Sequence, residues 1–259
     1  MKYLTRIKYK WPRLYRLISR VRFSLARESL VELPLGFKVF LNPYSYVETE
    51  IRNGNFEIRR ASFLKSALAE PCTFVDIGAN IGYYSLLAAS LGPQVHCFEP
   101  DIRNVQRLRR NIAVNGFDDR IAVNNIALGE SQGTLPIYSR LSDNYGRVSL
   151  VKDESSVESD HIAVETLDSS LLLPDQRVVV KIDVEGFEEQ VLLGASQWLL
   201  NVKKGSLWIV EVHLGQGVEL SRILSFFPDY NLTFFDDSEG CERSLNDPPV
   251  GDPVLLARK

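Results

Sequence analysis

From residue 73 onward, short apolar runs alternate with helix-like stretches, and this alternation restricts the fold more than any other feature of the chain. The apolar runs, rich in β-branched residues, cover 73–77, 95–98, 121–125, 178–182 and 207–212. The stretches with helical character cover 81–91, 103–114, 187–200 and 219–227. Such alternation predicts a mostly parallel sheet covered by helices on both faces. The chain is therefore expected to be an α/β protein of the Rossmann-like kind.

The segments outside this alternation predict additions to one domain rather than a second full domain. Residues 30–42 predict a hairpin that turns at Leu35-Gly36, and helices are expected at 47–52 and 57–69. Antiparallel additions are expected at 133–138, 147–150 and 161–166. An acidic, serine-rich loop is expected at 152–160, where it joins two of them. We accordingly divide the chain into a basic amphipathic helix, a hairpin with helices that packs on the core, and the main domain, at 1–29, 30–70 and 71–259.

Residues 1–27 carry nine Lys or Arg and no acidic residue, and their apolar residues recur at spacings of three and four. This pattern predicts an amphipathic helix that is interrupted or started by Pro12. Such a helix either makes a peripheral contact with an anionic membrane surface, or packs on its own domain or on a second subunit of a homodimer. Packing on protein is preferred, because amphipathic helices of this kind are commonplace.

The remainder of the chain is acidic, with 21 basic residues against 33 acidic ones. Because phosphate binding needs clustered cations, we expect no nucleic-acid partner. Three scattered cysteines predict buried thiols rather than a disulfide framework, and no apolar run approaches the roughly 18 residues needed to cross a membrane. The sequence therefore predicts a cytoplasmic protein, with the basic arm as its route to the inner face of a membrane.

A strand runs directly into a glycine turn and a helix at residues 74–85, Phe-Val-Asp-Ile-Gly-Ala-Asn-Ile-Gly-Tyr-Tyr-Ser. Gly78 and Gly82 allow positive φ and a close approach of backbone to a ligand, and the helix N-terminus offers unpaired N–H groups. Glu99 closes the next strand, where a carboxylate accepts hydrogen bonds from ribose hydroxyls. Together these features predict a cofactor that contains adenosine.

The glycine spacing and the acid before the turn distinguish between two classes of adenosine cofactor. A dinucleotide site has Gly-x-Gly-x-x-Gly around a pyrophosphate, whereas this turn lacks the second glycine. Asp76 would repel a pyrophosphate but attract the ammonium of an amino-acid-bearing cofactor. We therefore expect S-adenosylmethionine ahead of a nicotinamide cofactor, with Asn125 at the adenine edge and Ile126 on the adenine face.

Carboxylates and a histidine follow the fourth and fifth predicted strands, at the edge of the sheet where ligands bind. Asp183 is expected to hold the cofactor or the acceptor, and Glu185 or His213 to take a proton from an acceptor hydroxyl. Glu188 is expected to cap the following helix. Asp183, Glu185, Glu211 and His213 could also bind a divalent metal, but a metal-free base is preferred because their spacing shows no clear ligand set.

Residues 73–200 resemble the FkbM family of S-adenosylmethionine-dependent methyltransferases. The matching segments are 75–85, Phe98-Glu99-Pro100, 125–129, 165–168, Lys-Ile-Asp-Val-Glu-Gly-Phe-Glu at 181–188, and 193–195. The resemblance implies a class I methyltransferase fold with a seven-stranded sheet and methyl transfer to a hydroxyl, often on a sugar, glycoside or polyketide. Members with sugar substrates are frequently associated with surface-polysaccharide assembly. Phe187 departs from the family, which usually has a small residue there.

The predicted function is O-methylation of a hydroxyl on a sugar, glycoside or polysaccharide precursor. The residues predicted to bind S-adenosylmethionine are Asp76, Gly78, Ala79, Asn80, Gly82, Glu99, Pro100, Asn125, Ile126 and Asp183. The residues predicted to act in catalysis, without a metal, are Asp183, Glu185 and His213. Two alternatives remain open: a catalytically silent S-adenosylmethionine-binding scaffold of a glycan-assembly complex, and a nicotinamide-dependent oxidoreductase.

Overall fold

The computed structural model describes residues 21, 25–140, 148–152, 156–249 and 251–259. The amphipathic helix predicted at 1–29 lies almost entirely outside these residues, so the role of the basic arm stays a prediction. Within the described ranges, no helix combines the length and the apolar character needed to span a bilayer.

The predicted alternation of strands and helices is present in the described residues, and further short elements and three strands after residue 230 add to it. The strands are β1 (Ser29–Leu33), β2 (Phe37–Leu41), β3 (Thr73–Ile77), β4 (Gln94–Phe98), β5 (Ile121–Asn124), β6 (Ala127–Leu128), β7 (Gly133–Arg140), β8 (Val148–Ser149), β9 (Ser156–Glu165), β10 (Val178–Ile182), β11 (Leu207–Glu211), β12 (Asn231–Asp236), β13 (Cys241–Arg243) and β14 (Val254–Arg258). The α-helices are α1 (Tyr46–Asn53), α2 (Ile58–Ala67), α3 (Tyr83–Leu91), α4 (Ile102–Asn115), α5 (Leu167–Ser170), α6 (Glu188–Leu193), α7 (Ser196–Asn201) and α8 (Leu220–Leu224).

Eight strands form the main sheet, in the order β13-β12-β14-β11-β10-β3-β4-β5. From β11 to β5 the neighbours are parallel, and β14, β12 and β13 extend the sheet by antiparallel pairing. The expected count of seven is exceeded because β13, a three-residue edge strand, carries no apolar pattern that would predict it. Cys241 in β13 is exposed, contrary to the expectation of buried thiols, whereas Cys72 and Cys97 are buried.

A smaller sheet, in the order β6-β9-β7-β8, is inserted between β5 and β10. It confirms the predicted antiparallel additions, but β9 begins at Ser156, so residues 156–160 are strand rather than the predicted loop. These residues are paired with β7, and pairing with a neighbouring strand overrides a local composition that is unfavourable for a strand.

Both faces of the main sheet are buried, and alternate residues of its central strands enter different clusters. Val179 of β10 packs in a cluster with Leu86 of α3 and Leu108 of α4. Val180, its neighbour in sequence, packs in the other cluster with Trp198 of α7. Helices therefore cover the two faces of the sheet, as expected for alternating strands and helices.

The single helix predicted at 187–200 is instead two helices, α6 and α7. Gly194 lies between them, and a Cβ placed on it would come 1.9 Å from the carbonyl oxygen of Gly129. The chain thus bends where its backbone meets the loop after β6. This contact has no local sequence signal beyond the glycine itself.

The N-terminal hairpin and α1 pack against α4. The Phe40 amide donates to Asn111 Oδ1 at 2.9 Å, which joins β2 to the helix. Arg107 Nη2 lies 2.6 Å from Glu48 Oε2 of α1, and both side chains are largely buried. This packing places α1 beside the edge of the sheet where β3, β4 and β10 end.

Candidate active site

The turn after β3 is held against two other parts of the backbone. The amides of Gly78 and Ala79 both donate to the carbonyl oxygen of Phe98, at 3.0 and 3.1 Å. Gly78 has φ +88, and a Cβ on it would come 1.9 Å from the Asp183 carbonyl oxygen. The glycine is therefore required by contact with the turn after β10, in addition to any approach of a ligand.

Gly82 is the N-cap of α3 and has φ +96. A Cβ at this position would come 2.3 Å from Leu108 Cδ1, so the missing side chain makes room for α4. Gly82 does not line the cavity described below. Gly82 therefore has a packing role, and its contact with the cofactor stays a prediction.

Glu99 is anchored at the end of β4 by three hydrogen bonds from the protein. The Asn80 amide donates to Oε2 at 2.8 Å, while the Asp101 amide and Asn104 Nδ2 donate to Oε1 at 3.0 and 3.2 Å. Burial raises the pKa of Glu99 to about 7, although these three donors oppose the shift. The carboxylate is thus held rigidly at the place where ribose hydroxyls are expected.

Asp76 lies in the interior of the same site and is only 1% exposed. Ser85 Oγ donates to its Oδ2 at 2.6 Å, whereas Oδ1 is buried without a hydrogen-bond partner among the described residues. Burial raises the pKa of Asp76, and the charge of Lys181 opposes that shift. A buried acceptor oxygen without a donor fits a ligand that brings its own N–H groups.

An open cavity joins these elements. Its wall includes every predicted cofactor residue except Gly82 and Asn125, together with Glu185 and residues of α1. Asn125 is exposed, and its Nδ2 donates to the carbonyl oxygens of Glu99 and Pro100 at 3.0 and 2.9 Å. Asn125 thus braces the loop after β4, which corrects its expected position at the adenine edge, while Ile126 does line the cavity.

The turn after β10 forms the opposite wall. Glu185 has φ 56, unusual for a residue with a side chain, and Gly186 follows with φ +97. Ser149 Oγ of the smaller sheet donates to the Glu185 carbonyl oxygen at 2.8 Å. Asp183 Oδ2 accepts from Lys181 Nζ at 2.9 Å. Two carboxylates of this turn therefore line the cavity, and one of them is neutralised by a buried lysine.

His213 lies behind this turn and does not line the cavity. Its Nδ1 is 2.7 Å from Glu188 Oε1, and Glu188 is completely buried. Glu188 Oε1 also accepts from the Gly186 amide at 3.0 Å. The predicted helix-capping role of Glu188 is thus incomplete, since the same carboxylate orients the imidazole.

Three further carboxylates surround the second nitrogen of this imidazole. His213 Nε2 is 3.9 Å from Asp183 Oδ1, 3.8 Å from Glu185 Oε2 and 4.0 Å from Glu211 Oε1. Burial opposes a charge on the imidazole, but the hydrogen bond to Glu188 and the surrounding carboxylates raise the pKa of His213 to about 9. These neighbours favour the protonated imidazole, so the predicted role of His213 as a base stays a prediction.

Two buried cations under the site were not identified as functional from the sequence. Lys181 lies among Asp76, Asp183 and the ring of Tyr84, and a lysine in an otherwise apolar central strand is the signal that could have identified it. Arg60 of α2 pairs with Glu211, Nη1 to Oε2, at 2.5 Å, across 151 positions of sequence. Such a separation leaves no local signal.

The family model described as the methyltransferase FkbM domain matches residues 76–234. The chain belongs to the FkbM methyltransferase family. The FkbM domain spans Asp76 and Glu99 on one wall of the cavity and Asp183 and Glu185 on the other. With the strand order of the main sheet, this confirms the Rossmann-like class I methyltransferase fold.

Three known proteins that are similar to this FkbM-family chain are named as methyltransferases. Hexuronic acid methyltransferase AglP from Haloferax volcanii is 28% identical over 163 residues, which are 58% of this chain and 60% of AglP. The crystal structure of methyltransferase FkbM from Methylobacillus flagellatus KT has a TM-score of 0.48 at 23% identity, covering 72% of this chain and 43% of that one. The tRNA (uracil-54, C5)-methyltransferase of Pyrococcus abyssi, in complex with S-adenosyl-L-homocysteine, has a TM-score of 0.49 at 12% identity, covering 89% and 44%. The chain spans less than two thirds of the length of each of these proteins.

Proposed function

We propose that this chain is an S-adenosylmethionine-dependent O-methyltransferase whose acceptor is a hydroxyl of a sugar, glycoside or polysaccharide precursor. The observation that carries the proposal is that one cavity has candidate cofactor ligands on one wall and a candidate base on the opposite wall. Asp76 and Glu99, fixed and buried, lie on one wall, and Glu185 lies on the wall formed by the turn after β10. Membership of a methyltransferase family supplies the type of reaction.

The residues of the first wall fit the two ends of this cofactor. Glu99 would accept hydrogen bonds from the ribose hydroxyls, because its oxygens are already oriented by the amides of Asn80 and Asp101. Asp76 Oδ1, which has no donor among the described residues, would accept from the cofactor ammonium. Ile126 would pack on the adenine, and Ala79 and Pro100 would complete the wall.

The chemical step needs little from the protein beyond alignment and proton removal. The sulfonium of S-adenosylmethionine supplies an electrophilic methyl group when bound. The cavity must hold an acceptor oxygen in line with that methyl group and exclude water. Glu185 is the residue we assign to proton removal, because Asp183 is paired with Lys181 and His213 lies behind the wall.

The sugar class of acceptor rests on the name of the relative AglP and on the chemistry of the wall. Carboxylates such as Glu185 and Asp183 are suited to accept hydrogen bonds from several hydroxyls of one sugar ring. Phe187 also lines this part of the cavity, and its ring lies against Gly129. Assembly of surface glycans in the cytoplasm, with the basic arm on the membrane or on a second subunit, is the context in which we place the activity.

Titration calorimetry with S-adenosylhomocysteine tests the cofactor half of the proposal. We expect micromolar binding that is severely weakened in Glu99→Ala and unchanged in Glu130→Gln, a variant of an exposed loop carboxylate. No response to S-adenosylhomocysteine, together with binding of NAD or NADP, would instead support the oxidoreductase alternative.

Methyl transfer to candidate sugar acceptors tests the catalytic half. Glu185→Gln is expected to lower kcat by about 10²–10⁴-fold, the usual contribution of a general base, with unchanged affinity for S-adenosylhomocysteine. Full turnover in Glu185→Gln would contradict the assignment of the base. Cofactor binding without methyl transfer to any component of a cell extract would support the silent scaffold.

A further inference from the structure

We propose that Asp183, Glu211 and His213 form a divalent-cation site behind the acceptor wall of the cavity. One ligand atom from each residue lies within 4.8 Å of the others. In the sequence alone these residues show no spacing typical of a ligand set, which favours a metal-free site. The folded chain brings the three residues together from the ends of two adjacent parallel strands, β10 and β11.

The imidazole of His213 is oriented as a metal ligand. Glu188 Oε1 fixes Nδ1 at 2.7 Å, and this carboxylate–histidine pair is the usual support of a metal-binding imidazole. The His213 side chain is only 5% exposed. Its Nε2 lies 3.8 Å or more from each carboxylate oxygen of its other ion pairs, beyond the reach of a hydrogen bond. A buried ring nitrogen thus points into a ring of acceptor oxygens without a direct partner among the residues that the structure describes.

In each of the carboxylates of Asp183 and Glu211, one oxygen contacts a buried cation and the other oxygen faces the centre of the cluster. Asp183 Oδ2 is bonded to Lys181 and Glu211 Oε2 to Arg60, at 2.9 and 2.5 Å. The other oxygens, Asp183 Oδ1 and Glu211 Oε1, are the atoms that approach His213 Nε2, at 3.9 and 4.0 Å. The outer ion pairs therefore hold two oxygens in place around a gap that a cation would fill.

The charge of the surroundings also favours a cation. Three cationic side chains lie in and around the cluster: Arg60, Lys181 and His213. The carboxylates that form ion pairs with them are those of Glu57, Asp183, Glu185, Glu188, Glu211 and Asp237. Carboxylates therefore outnumber cations, and the excess grows when the imidazole gives up its Nε2 proton, as it must to bind an ion. A divalent ion would offset the excess at the point where the inner oxygens converge.

The donor set indicates a hard or borderline ion. Two carboxylates and one imidazole suit Mn²⁺ or Mg²⁺ better than the soft ions that prefer thiolates. Glu185 Oε2, which is 3.8 Å from Nε2, places the cluster next to the acceptor wall. If the proposed methyltransferase function holds, an ion here would act through Asp183, the one ligand that lines the cavity, and would fix that carboxylate beside the acceptor.

Titration of the purified full chain with Mn²⁺ tests the site directly. Binding is measured as the loss of the free-ion signal in electron paramagnetic resonance. We expect saturable binding of one ion. His213→Ala and the isosteric Glu211→Gln are expected to weaken it at least about tenfold, and Glu188→Gln about 10–100-fold through the orientation of the imidazole. His161→Ala, at a histidine whose side chain is 61% exposed, and Glu130→Gln are the matched controls and should bind as the wild type does.

Two results would overturn the site: no binding of Mn²⁺ by the wild type up to millimolar concentration, or equal binding by the wild type and by folded Glu211→Gln. Circular dichroism of each variant shows whether it is folded, and Glu211→Gln keeps the test valid if His213→Ala is not. Titration with S-adenosylhomocysteine on the same samples separates the two proposals. Protein that binds Mn²⁺ but not S-adenosylhomocysteine keeps the ion site and loses the cofactor assignment, and the converse result does the opposite.

Discussion

Acidification is expected to weaken the binding of S-adenosylhomocysteine, because Glu99 must ionise before it can accept two ribose hydroxyls. Burial raises the pKa of this carboxyl from 4.5 to about 7 in the ligand-free protein. A shift of this size corresponds to about 3 kcal/mol of extra free energy for the ionised form. A ligand that donates hydrogen bonds to the carboxylate favours that form, so binding lowers the pKa of Glu99 and releases a proton at acidic pH.

The magnitude follows from the fraction of Glu99 that is ionised before binding. With a pKa of about 7, this fraction rises about tenfold between pH ~6 and pH ~8, and the affinity should rise by the same factor. Calorimetric titrations at these pH values, repeated in buffers with different ionisation enthalpies, measure both the affinity and the number of protons released. The sense for folding is opposite: the contribution of Glu99 to the stability of the ligand-free protein is present below about pH 4.5 and is lost as the pH rises through about 7.

Two variants distinguish the contribution of Glu99 to the pH dependence from that of neighbouring groups. Glu99→Gln should bind the ligand weakly at every pH and show no dependence of affinity on pH in this range. Asp76→Asn serves as the comparison, because burial raises the pKa of Asp76 as well and part of the dependence could come from that residue. A wild-type affinity that stays constant from pH ~6 to ~8, or a full dependence on pH that persists in Glu99→Gln, would refute the reasoning.

Two further predictions concern the stability of the cofactor turn. Gly78→Ala should lower the free energy of unfolding in urea by about 2–5 kcal/mol, since the new Cβ would meet the Asp183 carbonyl oxygen at 1.9 Å with φ +88. Gly36→Ala, at φ +91 with no atom within 4 Å, should lose only the ~1–2 kcal/mol of a left-handed alanine, and equal losses in both variants would exclude the contact as the cause. Ser85→Ala should lose about 1–3 kcal/mol, because it removes the donor to the buried Asp76 Oδ2, and additive losses in a Ser85→Ala, Asp76→Asn double variant would contradict that coupling.

The pattern of apolar residues along the chain predicted those strands that are buried and mostly apolar. The central strands β3 and β10 are buried along their whole length and are mostly apolar apart from Asp76 and Lys181, so their positions followed from the sequence. The position of Glu99 at the end of β4 followed in the same way. β13 and the first half of β9 were missed, because polar residues form strands there only through pairing with a neighbour.

The site was harder to predict where its contacts join distant parts of the chain. The sequence identified Asp183, Glu185 and His213 as neighbours, since strand order brings their strand ends to one edge of the sheet. The bond between Glu188 and His213 spans 25 positions and depends on the angle at which α6 leaves the sheet. The role of Arg60 depends on how α2 packs, which no spacing encodes. The bond from Glu188 raises the pKa of His213, and neither this bond nor the packing of Arg60 could be read from the motif alone.

The contact between Gly78 and the Asp183 carbonyl oxygen has a consequence for the energetics of the two ligands. It joins the backbone that would hold the cofactor to the backbone that carries the acceptor residues, so neither turn can shift without displacing the other. We therefore expect that occupancy of one wall changes the affinity of the other wall for its ligand. By thermodynamic reciprocity, the factor by which cofactor strengthens acceptor binding equals the factor by which acceptor strengthens cofactor binding. A side chain at position 78 would therefore disturb a coupling free energy as well as a turn.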